Sequence, residues 1–460
     1  MPDDKDPNNA RPGRRRAVPA SRLSRLGGFG RLATGIAGGM VAEGARRALR
    51  GELPKLENLI LTPGNAMRLA DRLSHLRGAA MKLGQMISMD AGDFLPPELA
   101  AILGTLRDRA HFMPARQLEQ VLTREWGPQW RDKFTQFDMH PIAAASIGQV
   151  HRAVTHDGRT LAIKVQYPGI RESIDSDVDN VVTLLRMSNM IPPQLDIYPL
   201  LQEAKAQLHE EADYGREGAQ MKLYAAKLAN DRGFVVPTLD DALTRDRVLA
   251  MSFEPGVPIE SLATAPQETR DDIARRVITL VARELFEFGV MQTDPNFANY
   301  RYNPDTGQIV LLDFGATRAV TPQVAKAYRR LLTAGLDNDA QEVVAASLDA
   351  GFVNEATVTR HRVRVDAMTG IILEEFQREG PFDFGDRAFV SVLRDDGMAI
   401  AADRSSWHLP PADTLFVQRK VSGTALLAAR LKAQVDVRAI LTSALGPKPD
   451  EKHAKTRAAS

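Results

Sequence analysis

Three side chains that can offer oxygen ligands, Asp294, Asn299 and Asp313, lie around a predicted β-hairpin. The hairpin is predicted from a strand-like segment at 300–302, an Asn-Pro-Asp-Thr-Gly turn at 303–307 and an apolar strand at 309–312. It would bring Asn299 and Asp313 to its open end, roughly opposite each other. Oxygen ligands held side by side suit Mg²⁺, which often keeps phosphate and water in its remaining positions. The sequence therefore predicts a magnesium site formed by Asn299 and Asp313.

The spacing of these residues points to phosphoryl-transfer chemistry. Asp294 lies five residues before Asn299, and Asp313 begins an Asp-Phe-Gly triplet. An Asp-x-x-x-x-Asn segment followed by a hairpin and Asp-Phe-Gly is typical of the catalytic and metal-binding segments of kinases. The alternative is a surface hairpin with ordinary turn acids. That alternative leaves unexplained why an apolar strand runs straight into Asp-Phe-Gly.

A lysine is predicted inside a buried strand further upstream. Small residues at 141–148 precede an Asp-Gly turn at 157–158 and an apolar strand at 161–166, which contains Lys164. This order of elements is typical of a kinase amino-terminal lobe. Because a buried lysine is costly unless it is paired, we expect a phosphate or carboxylate partner. The alternative is a lysine at the edge of a strand.

The expected carboxylate lies on a helix predicted near 200–230. Asp213 and Glu217 are four residues apart on one helical face, where like charges destabilise a helix by a few tenths of a kcal/mol, about 0.2–0.5. A cation over that face would offset the repulsion, and we expect Glu217 to pair with Lys164. Glu211 and Asp213 are two residues apart and face different directions, which predicts separate roles.

A strand at 248–254 ends in a Pro-Gly turn and has the position of the hinge between two kinase lobes. Met251 and Phe253 are the candidates for contact with an adenine. We therefore predict an α+β, two-lobed, protein-kinase-like fold, with an amino-terminal lobe at 141–256 and a mostly helical carboxy-terminal lobe at 257–446. Within the second lobe, 380–411 is predicted to be irregular, and 447–460 is predicted to be a disordered tail.

The amino-terminal region is predicted to be a disordered basic arm at 1–20 and a helical extension at 21–140. Residues 1–50 contain 11 Lys/Arg and 4 Asp/Glu, which predicts attraction to an anionic surface, although a solvated tail explains the charge as well. Small residues spaced four apart within 21–50 permit close approach to lipid or to a second subunit. Peripheral membrane contact through residues 14–50 and a homodimer are therefore both open. A helix at 65–90 carries Lys82 and Gln85 on a polar face.

Composition excludes several classes of function. The chain of 460 residues has no cysteine, which rules out disulfides, thiol catalysis and cysteine-based zinc sites, and its nine histidines show no zinc-protease spacing. Nucleic-acid binding is the weakest hypothesis, because the basic excess is confined to the arm and has few aromatic neighbours. No signal peptide and no apolar run of about 20 residues is visible, which predicts a cytoplasmic protein.

Four motifs together resemble the UbiB family of atypical kinase-like ATPases, which is linked to coenzyme Q biosynthesis. They are Lys82-Leu-Gly-Gln85 (the family's KxGQ), Ala143-Ala-Ala-Ser-Ile-Gly-Gln149 (its alanine-rich loop), Glu211-Ala-Asp213 (its ExD) and Gln292-Thr-Asp-Pro with Asp313-Phe-Gly315. The resemblance covers roughly residues 20–445. The Gln-Thr-Asp-Pro form resembles the branch that includes mitochondrial coenzyme Q proteins. The carboxy-terminal membrane spans of some bacterial members are absent.

The resemblance implies a role for each matching position. Lys164 would contact the ATP phosphates and pair with Glu217, Asp294 would take the catalytic-loop position, and Asn299 and Asp313 would hold Mg²⁺. Lys82 and Gln85 would lie on a helical lid over the active site, with Lys82 near Glu211 or Asp213. The nucleotide loop would use Ala143, Ala144, Ala145, Ser146, Gly148 and Gln149.

The alanine loop and the lid predict slow ATP hydrolysis or small-molecule phosphotransfer rather than protein phosphorylation. Alanine methyl groups make the loop less permissive than glycine, and a capping helix should exclude a peptide. The main hypothesis is a Mg²⁺-dependent ATPase, bound peripherally at the inner face of a membrane, that handles an isoprenoid quinone precursor beside other coenzyme Q biosynthetic enzymes. The alternatives are a small-molecule or protein kinase, and a non-catalytic nucleotide-binding scaffold.

Overall fold

The computed structural model describes residues 112–187, 198–386, 388–403 and 410–446. Its strands, in chain order, are β1 (Phe134–Phe137), β2 (Ala143–Ala144), β3 (Gly148–Thr155), β4 (Thr160–Gln166), β5 (Phe234–Val235), β6 (Val248–Ser252), β7 (Val257–Pro258), β8 (Val290–Gln292), β9 (Tyr300–Asn303), β10 (Gln308–Leu311), β11 (Thr317–Ala319), β12 (Phe382–Asp383) and β13 (Gln434–Val435). The basic arm, the KxGQ helix with Lys82 and Gln85, and the tail lie outside the described residues.

The helices, in chain order, are α1 (Ala115–Trp126), α2 (Ile174–Met187), α3 (Tyr198–Glu211), α4 (Tyr214–Lys227), α5 (Gln267–Arg283), α6 (Pro322–Leu336), α7 (Ala340–Asp349), α8 (Glu355–Arg360), α9 (Arg362–Gln377), α10 (Ala388–Ala401), α11 (Ala412–Leu431) and α12 (Val437–Leu445). A π-helical turn at Glu284–Phe288 continues α5. Short 3₁₀ turns lie at Trp130–Lys133, Arg171–Ser173, Ile259–Thr264 and Phe297–Asn299. The mixture of helices and sheets confirms the predicted α+β class.

The chain forms two compact units. Among the described residues, the first contains those from 112 to Lys222 together with Thr238–Phe253, whereas the second contains Leu223–Pro237 and those from Glu254 to 446. The second unit therefore begins three residues before the boundary predicted at 256/257. Residues 223–237 belong to the second unit because β5 pairs in parallel with β10 there.

The first unit is built on a five-stranded sheet in the order β1-β3-β4-β6, with β2 paired to β3. The Asp-Gly turn between β3 and β4 places Gly158 at φ +82°, a conformation that glycine adopts without strain. Within 21–140, the segment predicted as a helical extension, Phe134–Phe137 instead form β1, which pairs antiparallel with β3. Its two phenylalanines flank two exposed polar residues, a composition that suits a sheet edge.

An aromatic cluster packs beside β3 in the first unit. Trp126 and Trp130 are joined by Phe134 and Phe137, and the Phe137 ring stacks on His151 with 5.5 Å between centroids. His151 is fully buried; its Nδ1 lies 2.8 Å from the carbonyl oxygen of Asp138, and its Nε2 lies 2.8 Å from the Gln149 amide nitrogen. Burial lowers the pKa of His151 from 6.5 to about 4.

The second unit has a four-stranded sheet in the order β5-β10-β9-β7. The β9–β10 hairpin is the one predicted from the sequence, with Leu311 opposite Tyr300 and Gln308 opposite Asn303. A separate two-stranded sheet pairs β8 with β11. Because β8 ends at Gln292 and β9 begins at Tyr300, the two strands hold both ends of the segment that contains Asp294 and Asn299.

Helices surround these strands. α5 packs against α11 and α12, and α6 packs against α7 and α9. One core cluster joins α5, β8, α6 and α11; its buried members are Val281, Leu285, Met291, Val320, Val324, Tyr328, Phe416 and Val417. The predicted irregular segment 380–411 is corrected over Ala388–Ala401, which form α10. None of the helices that the structure describes is long and apolar enough to span a bilayer.

The buried neutral state of His151 predicts a pH-dependent stability. Unfolding returns its pKa from about 4 to 6.5, so the unfolded chain binds the extra proton as the pH falls. The stabilisation is fully present above pH 6.5 and is lost toward pH 4, at most roughly 3 kcal/mol. We expect the thermal midpoint of His151→Gln to fall less steeply than that of the wild type between pH 7 and pH 4.5. Parallel midpoint curves would contradict this assignment.

Candidate active site

The predicted ion pair between Lys164 and Glu217 is confirmed in the first unit. Lys164 lies on β4, between β3 and β6, and its Nζ is 2.8 Å and 3.0 Å from the two carboxylate oxygens of Glu217. Lys164 is 7% exposed and Glu217 is 0% exposed. Nζ also lies 5.3 Å from the centroid of the Tyr214 ring. The alternative of an edge-strand lysine is therefore excluded, and a buried, charge-balanced amine is present.

The two acids of the Glu-Ala-Asp motif make different contacts, as their spacing predicted. Glu211 is the last residue of α3, and its carboxylate accepts a hydrogen bond from the Ser146 hydroxyl at 2.7 Å. Asp213 accepts one from the backbone N–H of Arg216 at 2.9 Å. This is the contact of a helix N-cap, and it starts α4 so that Glu217 falls in its first turn.

The alanine-rich segment forms a short exposed hairpin with β3. Ala143 and Ala144 pair with Val150 and Gln149, and the turn closes through a 2.9 Å hydrogen bond from the Ala145 N–H to the Gly148 carbonyl. Ala143 and Ala144 are exposed, and Ala145 is half-buried. Gly148 is buried against β4, where a Cβ would overlap the Val165 carbonyl oxygen and lie 3.0 Å from its carbon. Only glycine fits at that point of the hairpin.

The other predicted nucleotide contacts lie in three different environments. Gln149 is 1% exposed, and its amide oxygen accepts from the Met113 N–H at 2.8 Å while its nitrogen faces His151. Met251 is 4% exposed in the sheet. Phe253 is half-buried, with the Arg152 guanidinium 5.5 Å from its ring centroid. The contacts of Gln149 are those of a residue that braces the loop.

The magnesium-ligand candidates lie at the open end of the β9–β10 hairpin in the second unit, as predicted. The Leu312 N–H donates to the Asn299 carbonyl at 3.0 Å, which sets Asn299 almost opposite Asp313. The Asn299 Nδ2 donates to the Asp294 carbonyl at 3.3 Å, so its Oδ1 is the atom left to act as an acceptor. Asp313 accepts from the Gly315 N–H at 2.9 Å. Asn299 and Asp313 both line a cavity of about 10 Å³.

These two side chains fit magnesium as a partial ligand set. Both offer hard oxygen atoms, and Mg²⁺ is commonly bound by one or two such groups together with phosphate and water. Across the described ranges, no cluster of three or more acidic or histidine side chains could hold a metal ion on its own. Asp294 begins the turn beside them, where its Oδ1 accepts from the Asn296 N–H at 3.2 Å.

A buried polar network that was not predicted from the sequence lies beside this segment. Lys420, on α11, lies 2.7 Å from the Tyr300 hydroxyl and 3.6 Å from a Glu284 carboxylate oxygen. Burial raises the pKa of Glu284, with Lys420 opposing it. Burial lowers the pKa of Lys420, but Glu284 and Tyr300 outweigh it and the net change is upward. No local sequence signal links Lys420 to Tyr300, which is 120 residues away.

Comparison with known proteins gives one consistent family. The model of the ABC1 atypical kinase-like domain matches residues 105–347. The chain is 39% identical over 431 residues to the atypical kinase COQ8B, mitochondrial, of Rattus norvegicus, with 92% of this chain and 80% of that protein covered. It is 37% identical over 424 residues to the atypical kinase COQ8, mitochondrial, of Saccharomyces cerevisiae, with 91% and 84% covered.

A solved structure supports the same fold. The structure of Rv3197 with erythromycin, from Mycobacterium tuberculosis, aligns with 80% of this chain and 92% of its own chain, with a TM-score of 0.57 and 25% identity. Together with the buried Lys164–Glu217 pair and the Asn299–Asp313 hairpin, these similarities agree with the motifs in the sequence. The chain belongs to the ABC1 family of atypical kinase-like proteins, which is the UbiB family predicted from those motifs.

Proposed function

We propose that this chain is a Mg²⁺-dependent atypical kinase-like ATPase that supports coenzyme Q biosynthesis. The observation that carries the proposal is the Lys164–Glu217 ion pair, in which both charges are buried and in contact. A buried ion pair contributes little net stability compared with apolar packing, so its presence calls for a functional reason. Binding of a nucleotide phosphate supplies that reason.

In the proposed mechanism each side chain has one task. Lys164 binds the α/β-phosphates of ATP, and Glu217 keeps the amine charged and oriented. Asn299 and Asp313 hold Mg²⁺; when bound, the metal neutralises charge on the phosphate oxygens. Asp294 orients the attacking water or hydroxyl, because a carboxylate at this position can accept a hydrogen bond from the nucleophile.

Slow hydrolysis is favoured over protein phosphorylation by the contacts of the alanine loop. In kinases, glycine-loop N–H groups cover the phosphates. Here the Ala145 N–H is already bonded within its own turn, and Ser146 is bonded to Glu211. These two groups are therefore not available to hold a γ-phosphate unless their present bonds break. We propose that Met251 and Phe253 contact the adenine and that Lys82 and Gln85 form the lid.

The proposed place of action is a membrane surface. Residues 14–50 are basic and rich in small residues, a composition that suits contact with anionic lipid. Two relatives at 37–39% identity carry names that include "mitochondrial". We propose peripheral attachment, an isoprenoid quinone precursor as the hydrophobic cargo, and association with other coenzyme Q biosynthetic enzymes.

A nucleotide-binding scaffold is the second candidate. Gln292-Thr293 precede Asp294, where kinases commonly place histidine and arginine. A scaffold would bind ADP and ATP equally and without metal. Its capture of partner enzymes would be unchanged in Lys164→Ala, which separates it from the ATPase.

The metal role of Asp313 predicts the effect of Asp313→Asn. Removing the charged ligand should lower ATP turnover by about a hundredfold, because the site loses most of its attraction for Mg²⁺. Phosphate release measured across a Mg²⁺ titration, with liposomes present, checks this. Asp305→Asn, in the exposed turn of the same hairpin, is the matched control and should keep wild-type turnover. Undiminished turnover in Asp313→Asn would refute the proposed ATPase.

The Lys164–Glu217 ion pair predicts that substitutions can restore the stability of the protein without restoring its binding of nucleotide. Lys164→Met leaves Glu217 buried without its cation, which should lower the free energy of unfolding by about 3–5 kcal/mol. Lys164→Met with Glu217→Gln should recover most of that stability but not the binding of Mg²⁺–ATP. Lys222→Met, which removes the exposed partner of Asp241, should change stability by less than about 1 kcal/mol. Thermal melts with and without nucleotide measure both effects, and full recovery of binding in the double variant would contradict the role of Lys164.

A further inference from the structure

Lys420 is a buried lysine that the proposed mechanism does not use. It lies on α11 and is 1% exposed. Its Nζ donates to the Tyr300 hydroxyl at 2.7 Å and to the Gln292 side-chain oxygen at 3.2 Å, and it lies 3.6 Å from a carboxylate oxygen of Glu284. A lysine so fully enclosed must be held by all of these groups, since an unpaired buried amine is costly.

Glu284 is the acidic centre of the same cluster. It is 0% exposed and begins the π-helical turn that follows α5. Its Oε1 accepts hydrogen bonds from the Tyr224 hydroxyl at 2.7 Å and from the Gln292 backbone N–H at 3.2 Å. π-helical turns are frequent at functional sites. The turn here points the Glu284 carboxylate toward Gln292, the last residue of β8. Lys420 balances the negative charge of this carboxylate.

The contacts of Lys420 bracket the catalytic segment. Gln292 lies two residues before Asp294, and Tyr300 lies directly after Asn299. Lys420 therefore holds the segment 292–300 at both ends with one amine. Lys420, Glu284 and Gln292 also line the 10 Å³ cavity that Asn299 and Asp313 line. The network is thus in direct contact with the surroundings of the proposed metal ligands.

The same helix also contacts the middle of the segment. Gly423 lies one turn beyond Lys420 on α11, on the same face. A Cβ built on Gly423 would overlap Pro295 Cβ and lie 2.8 Å from its Cγ. Pro295 directly follows Asp294. Helix α11 therefore supports the segment at its start, at its centre and at its end.

We propose that Lys420 is a positioning residue that, with the α11 face carrying Gly423, holds the segment 292–300 in the geometry that Asp294 and Asn299 need for turnover. The inference rests on the proposed ATPase function. A purely structural role is the competing explanation. It is disfavoured because apolar residues of similar volume would fill the same space without the desolvation cost of two buried charges.

Charge-balanced variants separate the two roles. Lys420→Met leaves Glu284 uncompensated and should lower the thermal midpoint strongly. Lys420→Met with Glu284→Gln removes both charges, and the oxygen of the new amide can still accept from Tyr224 and Gln292. We expect this double variant to recover most of the wild-type midpoint. Its kcat for ATP hydrolysis should stay about tenfold to a hundredfold low, because small displacements of catalytic groups have effects of that size. Its KM for ATP should stay within about threefold, since Lys164 is untouched.

A second pair of variants tests the helix face without changing any charge. Gly423→Ala adds a methyl group against Pro295 and should lower kcat about tenfold, while nucleotide-induced stabilisation stays near that of the wild type. Gly370→Ala, in α9, is the matched control, because no atom lies within 4 Å of its added Cβ. It should keep wild-type kcat. Arg430→Met, at an exposed position of α11, is the control for loss of a basic side chain from that helix.

The outcomes distinguish this inference from the proposed function. Suppose that the wild-type protein hydrolyses ATP and that the charge-balanced double variant and Gly423→Ala both keep its kcat. That result would overturn the positioning role and leave the ATPase proposal intact. A wild-type protein that binds nucleotide but releases no phosphate would refute the ATPase proposal, and the positioning role with it. Low kcat at preserved KM and preserved thermal midpoint in the double variant would support the inference.

Discussion

A charged group that is buried away from water must be balanced by an opposite charge. In the first unit, this constraint applies to the ammonium group of Lys164. The amine lies on an inner strand of the sheet and is almost fully buried. Its partner Glu217 has to reach it from a helix, so α4 must begin at the right place. Asp213 caps that helix, and Glu211, at the end of α3, holds the alanine hairpin through Ser146. Geometry therefore explains the spacing of the Glu-Ala-Asp motif. Its second acid fixes the start of α4, which carries Glu217, and its first acid holds the alanine hairpin.

The same constraint applies in the second unit, next to the segment 292–300 that is proposed to be catalytic. Glu284 and Lys420 are both buried, and neither charge is tolerable without the other. Their contacts with Gln292 and Tyr300 connect a helix late in the chain to both ends of the segment that carries Asp294 and Asn299. Rigid support of this kind is what a catalytic constellation requires from its surroundings. Each unit therefore contains a buried ion pair beside its candidate site residues, Lys164 in the first unit and Asp294 and Asn299 in the second.

Local patterns in the sequence were sufficient to predict the hairpin and the Lys164–Glu217 pair. A lysine inside an apolar run needs a counter-charge, and an acid with the right helical spacing was available. Elements and contacts that depend on residues distant in the sequence could not be predicted. Phe134–Phe137 is too short to show alternation clearly, and it becomes a strand because β3 offers it an edge. Helix α10 was not predicted, because the polar residues Arg-Asp-Asp-Gly at 394–397 interrupt its apolar pattern. Gln149 matched a loop motif, yet its side chain turns inward to Met113 and His151.

The central claim, that the paired amine of Lys164 binds the phosphates of ATP, can be tested by covalent labelling. An acyl-phosphate derivative of ATP transfers its acyl group to lysine amines close to the bound phosphates, and mass spectrometry of the digested protein locates the modified residue. We expect labelling at Lys164 that Mg²⁺–ATP suppresses in competition and that is lost in Asp313→Asn at limiting Mg²⁺. Labelling confined to other lysines, or labelling of Lys164 that excess Mg²⁺–ATP leaves unchanged, would contradict it.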